Sequence, residues 1–367
     1  MNKVLQRVLL LAVLLALLVG VGIAVAQDAT AEPGAEGDAI VRSLDPANLP
    51  DGWVVPPAIG HITNYLVHEW YQNETKGEAA RAADYGLTFT INDANLDLNT
   101  SLAAVADYLS QGINTLVFTP VNEEASGPTI SRASEDGAIV ICEGSPTDGC
   151  YSLVSIDDYT AGWNVGVWAA NYAIENFDGV ARVLDIGLPA LSTTVNRSQG
   201  FMDGLQSVLP EAELVQSVDG SGLKDAAVAV AAYALTANPD VNIIFGINDD
   251  SALGGLQAYE AAGLDTSNLL VVGFGCEGLA CKNALLEGSP YKVSAAMFPE
   301  YQGRLLIDAV IAAANGVELP AHLVAPNLPM TADILAEYYT QNDDGTFSPN
   351  FEAIAAIPVD VVERPTS

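Results

Sequence analysis

The sequence predicts an α/β protein of two doubly wound parallel-sheet lobes with a ligand cleft between their strand ends. Three observations lead there. Short apolar, β-branched runs alternate with longer helical segments from residue 58 to residue 314, the pattern of parallel sheets covered on both faces. That alternation holds more strand–helix units than one sheet comfortably carries, in a chain whose 367 residues suit about two domains. The composition, 50% hydrophobic and 16% charged, is that of a globular chain with a large core.

The elements follow in order. Lys3 and Arg7 precede an apolar run over 8–26, and Ala24-Val25-Ala26 fits a small-residue cleavage site before Gln27. This reads as a signal peptide over 1–26, so the protein is expected to be periplasmic or extracellular. The run is long for a signal, and an uncleaved membrane anchor is the alternative. Residues 27–57, acidic and rich in Ala, Gly and Pro, read as a flexible tether. Strands are expected at 58–63, 87–91, 115–118 and 138–141, with helices at 67–83, 102–109, 129–135 and 159–174. Further strands fall at 180–186, near 214, and at 241–247, 269–274 and 292–297. Helices at 195–208, 224–236, 251–259, 279–286 and 303–314 separate or follow them.

The stretch 238–259 shows the unit most clearly. A buried strand ends in Asn248-Asp249-Asp250 and opens a helix. Asp249 or Asp250 can cap that helix, and Asn248 sits at a strand's carboxyl end, where open α/β sheets bind ligands.

The formal charge is −33, from 13 basic and 46 acidic residues. Such a surface repels phosphates and argues against a nucleic-acid partner. The four cysteines fall in two local couples, Cys142 with Cys150 and Cys276 with Cys281. Three pairings are possible, and local disulfides are the simplest. His61, His68 and His322 have no zinc-like spacing to them, so no metal and no cofactor is expected. Gly273-Phe274-Gly275-Cys276-Glu277-Gly278 formally matches a dinucleotide fingerprint, a weak signal this late in a chain. There is no Gly-x-Ser-x-Gly elbow and no Walker loop.

Several segments together resemble the type I periplasmic binding proteins of the ribose/galactose group, the solute receptors of ABC importers. They are Asn238-Pro239-Asp240-Val241 with Asn248-Asp249, Val271-Val272-Gly273-Phe274, Arg197-Ser198-Gln199-Gly200-Phe201, and Gly112-Ile113-Asn114-Thr115 with Thr119-Pro120. The likeness covers about 58–327. It implies three hinge crossovers near Ile156, Met297 and Val324. One lobe is then 58–156 plus 298–323 and the other 157–297 plus 324–367. It also implies a monomer that closes on a small ligand, usually a monosaccharide, and presents it to an ABC permease.

The same resemblance implies the ligand set. Trp70 and Tyr71 stand where the family stacks rings on a sugar face; read alone, they are equally helix-start core residues. His68, two residues earlier, is in isolation a solvated or structural histidine. Arg197 matches a ligand-binding arginine whose fork suits vicinal hydroxyls or a carboxylate. Asn248 binds, caps, or does both. Asp158 binds the ligand or caps the next helix, and Glu143 stands where the family has an aspartate. The family's aspartate after Gly273-Phe274 is absent, with Glu277 the nearest substitute. The expected glutamine near the second crossover is replaced by Met297 or Phe298. The second lobe lacks an aromatic near Gly222-Leu223. Two other roles remain open on sequence grounds. One is a ligand-sensing module for a chemoreceptor or sensor kinase. The other is an extracytoplasmic carbohydrate-active enzyme.

Overall fold

The computed structural model describes residues 34–364. The signal segment, its cleavage site, the anchor alternative and the first residues of the tether lie outside them. In chain order the first elements are α1 (Ala35–Ser43), β1 (Ala58–Thr63), α2 (Glu69–Tyr85), β2 (Thr88–Asp93), α3 (Leu98–Ser110), β3 (Thr115–Phe118), α4 (Glu123–Glu135), β4 (Ile139–Glu143) and β5 (Ser152–Ser155). Next come α5 (Asp158–Asn176), β6 (Arg182–Gly187), α6 (Ser192–Val208), β7 (Glu213–Asp219), α7 (Lys224–Ala237), β8 (Ile243–Gly246), α8 (Asp249–Ala261), β9 (Leu270–Gly275), α9 (Leu279–Leu286) and β10 (Tyr291–Ala296). The chain ends with α10 (Pro299–Ala314), β11 (His322–Val324), β12 (Leu328–Met330), α11 (Leu335–Tyr338), β13 (Tyr339–Gln341), β14 (Phe347–Pro349) and α12 (Phe351–Ala355).

Two six-stranded sheets result. The first has the order β11-β5-β4-β3-β1-β2 and is parallel throughout. The second has the order β12-β10-β9-β8-β6-β7, parallel except for the antiparallel β12. Inner strands such as β3, β8 and β9 are buried along their whole length, as continuous apolar runs covered on both faces must be. The far edges β2 and β7 alternate with solvent, which is why β7 runs longer than its apolar start at Leu214 suggests. The chain crosses between sheets after β5, after β10 and between β11 and β12, making the three-stranded hinge. At the second crossing Phe298 holds a left-handed φ of 53° and precedes α10.

Two expectations need correction. The tether reading of 27–57 fails from Gly34 onward. Helix α1 lies against the main chain of 318–320, where a Cβ at Gly37 would stand 2.1 Å from the Glu318 carbonyl. Val41 is fully buried there, and Arg42 donates to the Val324 carbonyl at 2.6 Å. Few apolar side chains are needed because backbone packs on backbone, so composition alone reads as loose. The tail, in turn, is not confined to the second lobe, although it returns there where Val362 N donates to Thr160 Oγ1 at 2.8 Å and Arg364 lies over the Tyr159 ring. Phe351 packs on Tyr301 and under Arg304 of α10 in the first lobe, while Tyr339 stacks on Phe298 and lies beneath Lys282 of α9.

Candidate functional site

In the second lobe, site geometry begins with a close helix pair. Glycines on α5 and α6 interlock: a Cβ at Gly162 would meet the Arg197 carbonyl at 2.4 Å, and one at Gly200 the Tyr159 carbonyl at 2.1 Å. Only glycine allows this approach, and it sets Arg197 beside Asp158. Asp157 caps α5 through the Thr160 amide at 2.7 Å, which frees Asp158 to face α6. Arg197 Nε then donates to Asp158 Oδ1 at 2.7 Å, Nη1 donates to the Ile247 carbonyl at 3.0 Å, and the guanidinium sits 4.4 Å over Phe274. Burial raises the Asp158 pKa, and the Arg197 charge opposes that rise.

Asn248, not Asp249 or Asp250, caps α8: its Oδ1 accepts from Ser251 N at 2.8 Å, and its Nδ2 donates to the Gly222 carbonyl at 2.9 Å. Asp249 instead points inward, accepting from the Tyr291 hydroxyl and from Ser294 Oγ. Burial first, then the charge of Glu277, pushes its pKa well above the ordinary carboxylate range.

The first lobe uses the same device. Gly77 of α2 and Gly303 of α10 approach within 2.2–2.3 Å of the facing Glu300 and Glu74 carbonyls, measured from ideal Cβ positions. This brings Gln302 Nε2 to Glu74 Oε1 at 3.1 Å and to Glu143 Oε1 at 3.0 Å. Behind them His61 Nδ1 meets Glu78 Oε2 at 2.7 Å and its Nε2 meets Thr119 Oγ1 at 3.0 Å. Burial drives the Glu74 pKa well up, with the charges of Glu143 and Glu78 adding to it.

Each lobe therefore carries a buried acid pair, Glu74–Glu143 and Asp249–Glu277. Burial is the largest cause and raises all four pKa values; the partner acid adds to the rise at Glu74 and Asp249 and opposes it at Glu143 and Glu277. One oxygen from each of these four acids finds no hydrogen-bond partner among the described residues. His68 caps α2 by accepting from Trp70 N at 3.2 Å. Burial lowers its pKa; with Nδ1 accepting from the backbone, Nε2 is the ring nitrogen that faces Glu277 Oε1, at 4.0 Å.

One cavity of about 390 Å³ lies between the lobes, with Glu74, Asp249, His61 and Glu78 behind its wall. All eight candidates, His68, Trp70, Tyr71, Glu143, Asp158, Arg197, Asn248 and Glu277, stand in its wall. Gln302, Thr119 and Asn64 join them without having been singled out from the sequence. The signal for Gln302 was a polar residue, one of two with Asp308, inside the mostly apolar buried face of α10. Met297 and Phe298 remain a departure from the family pattern; Gln302 reaches the cavity from the first turn of α10 instead.

Both cysteine couples pair locally, Cys142 with Cys150 and Cys276 with Cys281. Neither disulfide lines the cavity, yet each immediately precedes a cavity carboxylate, Glu143 or Glu277. The dinucleotide-like turn is filled from within. A Cβ at Gly273 would meet the Tyr291 hydroxyl at 1.8 Å, and one at Gly278 would fall 1.6 Å from Glu69 Oε2 of the opposite lobe. A carboxylate thus already stands at the start of α9, where a phosphate would need to sit.

The lobes touch across the cleft. Asn73 Nδ2 donates to the Glu277 carbonyl at 2.6 Å, and Ser192 Oγ to Glu123 Oε1 at 3.2 Å. The conformation is a closed one. A second concavity of about 490 Å³ opens on the second lobe alone. Its buried acid, Asp185, is already satisfied by Ser198 and Ser217.

A family profile described as periplasmic binding protein domain matches residues 59–318. The ribose import binding protein RbsB of Bacillus subtilis is 28% identical over 272 residues, covering 73% of this chain and 85% of that protein. The galactofuranose-binding protein YtfQ of Escherichia coli is 22% identical, over 64% of this chain and 75% of its own. Among solved structures, a solute binding protein from Actinobacillus succinogenes with bound D-allose superposes with TM-score 0.71 at 21% identity, covering 77% of this chain and all of that one. One from Bacillus halodurans with bound myo-inositol gives TM-score 0.68 at 19% identity, over 78% of this chain and 98% of its own. The structural likenesses establish the fold.

Proposed function

Because the chain belongs to the periplasmic binding protein domain family, we propose that it is an extracytoplasmic receptor that captures a monosaccharide or polyol by lobe closure and delivers it to an ABC permease. One observation carries the ligand class. The closed cavity joins two aromatic side chains, Trp70 and Tyr71, to one guanidinium and to an acceptor carboxylate from each lobe. Rings suit the C–H face of a sugar. Glu143 and Glu277 offer carboxylate oxygens as acceptors for hydroxyl protons. Arg197 donates in return. Relatives that import ribose or bind galactofuranose support the same reading.

The role is binding, without turnover. Residues 1–26 act as the export signal, and the mature chain begins at Gln27. Amino-terminal sequencing of the exported protein checks this.

The test is a thermal-shift screen of the mature protein against pentoses, hexoses, polyols, sugar acids and amino acids. A ligand that binds only the folded state raises Tm. Neutral sugars or polyols are expected to raise it, and Arg197→Ala and Trp70→Ala to abolish the shift. A response confined to acids or amino acids would overturn the sugar reading.

A further inference from the structure

The cavity carboxylates gather at one end of the cleft, and the other end, which Asn64 and Asn248 share, carries leucines. In both sheets the strands nearest the hinge crossings are β5 with β11 and β10 with β12, while β2 and β7 lie farthest away. Glu143 ends β4, Asp158 follows β5, and Glu277 follows β9, so the acids gather toward the hinge.

Leu96 follows β2, Leu191 follows β6 and Leu223 follows β7, so the open side of the cleft is fringed by leucine from both lobes. All three line the cavity yet are 57%, 46% and 51% exposed. The two second-lobe loops adjoin, since the Leu188 side chain lies 3.7 Å from an ideal Cβ at Gly222.

Leu96 also has a backbone cost. Its φ is 61°, left-handed, with its amide tied to the Asn64 carbonyl at 2.7 Å. Glycine or asparagine sits there more easily than leucine. A bare sugar, with hydroxyls around its rim, gives these side chains nothing to cover. The cavity of about 390 Å³ also falls in the range of about 300–1,000 Å³ that encloses drug-sized ligands.

We infer that the ligand is amphipathic. A polyhydroxylated ring lies at the hinge end, and an alkyl or aryl substituent extends from it onto Leu96, Leu191 and Leu223. This rests on the sugar-receptor reading and narrows it. Burying about 60 Å² of apolar ligand surface on the leucines corresponds to about a tenfold gain in affinity.

Calorimetric titration of the mature protein tests it, using D-ribose, D-allose and D-galactose against their methyl, butyl, hexyl and phenyl glycosides. For the sugar that binds, affinity is expected to rise along the alkyl series by at least about tenfold. Leu191→Ser, Leu223→Ser and Leu96→Asn, the last matched to the left-handed backbone, should bring the glycoside-to-sugar ratio down toward one. The chain-length series in the wild-type protein stands independently of those variants. A parent sugar that binds with no gain along the series would overturn the amphipathic ligand and leave the sugar receptor intact. A gain that the leucine substitutions leave unchanged would overturn it too. If neither these sugars nor their glycosides bind, the amphipathic ligand falls, while the receptor reading is decided by the wider thermal-shift panel.

Discussion

At Arg197 the consequences of one side chain can be written down directly. Its charge is the counterpart of Asp158, buried beside it, and it is held against Phe274 and the Ile247 carbonyl. Arg197→Ala leaves a buried carboxylate unpaired, at a cost of about 3–5 kcal/mol. It should also weaken ligand binding by about a hundredfold, since a charged hydrogen bond is lost with it. Arg197→Lys keeps the charge and loses the fork, so the loss should be nearer tenfold. Urea titration and calorimetry on the same samples check both figures. Binding left unchanged in the alanine variant would remove Arg197 from the site.

Glu74 makes a pH prediction at the same scale. Burial raises its pKa well above the reference value of 4.5, with Glu143 and Glu78 adding to the rise and Gln302 opposing it. Above about pH 4.5 the unfolded chain releases this proton while the folded protein retains it. Stability therefore falls as pH rises through that window, by up to about 1.4 kcal/mol per pH unit for one proton. Glu74→Gln has no proton to retain, so its Tm relative to wild type should climb from pH 5 to pH 8. Parallel Tm curves would show that Glu74 ionises freely.

Among the elements, the glycine-mediated contacts govern the site. Gly200→Ala places a methyl against the Tyr159 carbonyl and should cost about 1–3 kcal/mol by overpacking. It should also weaken binding, because α6 carries Arg197. Full affinity in this variant would show that the α5–α6 spacing does not set the guanidinium. Replacing Cys142 and Cys150 with serine opens a loop with a sequence separation of 8. That change should lower stability by about 2–3 kcal/mol under non-reducing conditions.

These elements also mark what sequence reading reaches. The strands with continuous apolar runs, 241–247 and 269–274 among them, stand where their periodicity put them. β5, β11 and β12 were missed because three or four residues carry no period. The first half of α4 was missed because Gly127-Pro128 reads as a break. The eight side chains named from the sequence all stand in the cavity wall. Gln302 and Glu74 escaped because only the close approach of α2 and α10 brings them together. That approach depends on glycine spacing in two segments distant in sequence.

Taken whole, the molecule is two parallel-sheet lobes closed on each other around a cavity that neither lobe builds alone. Contacts made only in this state include Asn73 with the Glu277 carbonyl and Glu69 over Gly278. A ligand that touches both lobes favours that state by its differential affinity for it. The strained Phe298 and the Tyr339 ring stacked on it sit at the crossing where rotation must be absorbed.

Small-angle X-ray scattering of the mature protein, with and without the sugar or polyol that raises its Tm, tests that central claim most directly. Capture by closure predicts a smaller radius of gyration on saturation, with the bound curve matching the closed structure. The shift should be lost in Arg197→Ala. A radius unchanged by a ligand that demonstrably binds would contradict it.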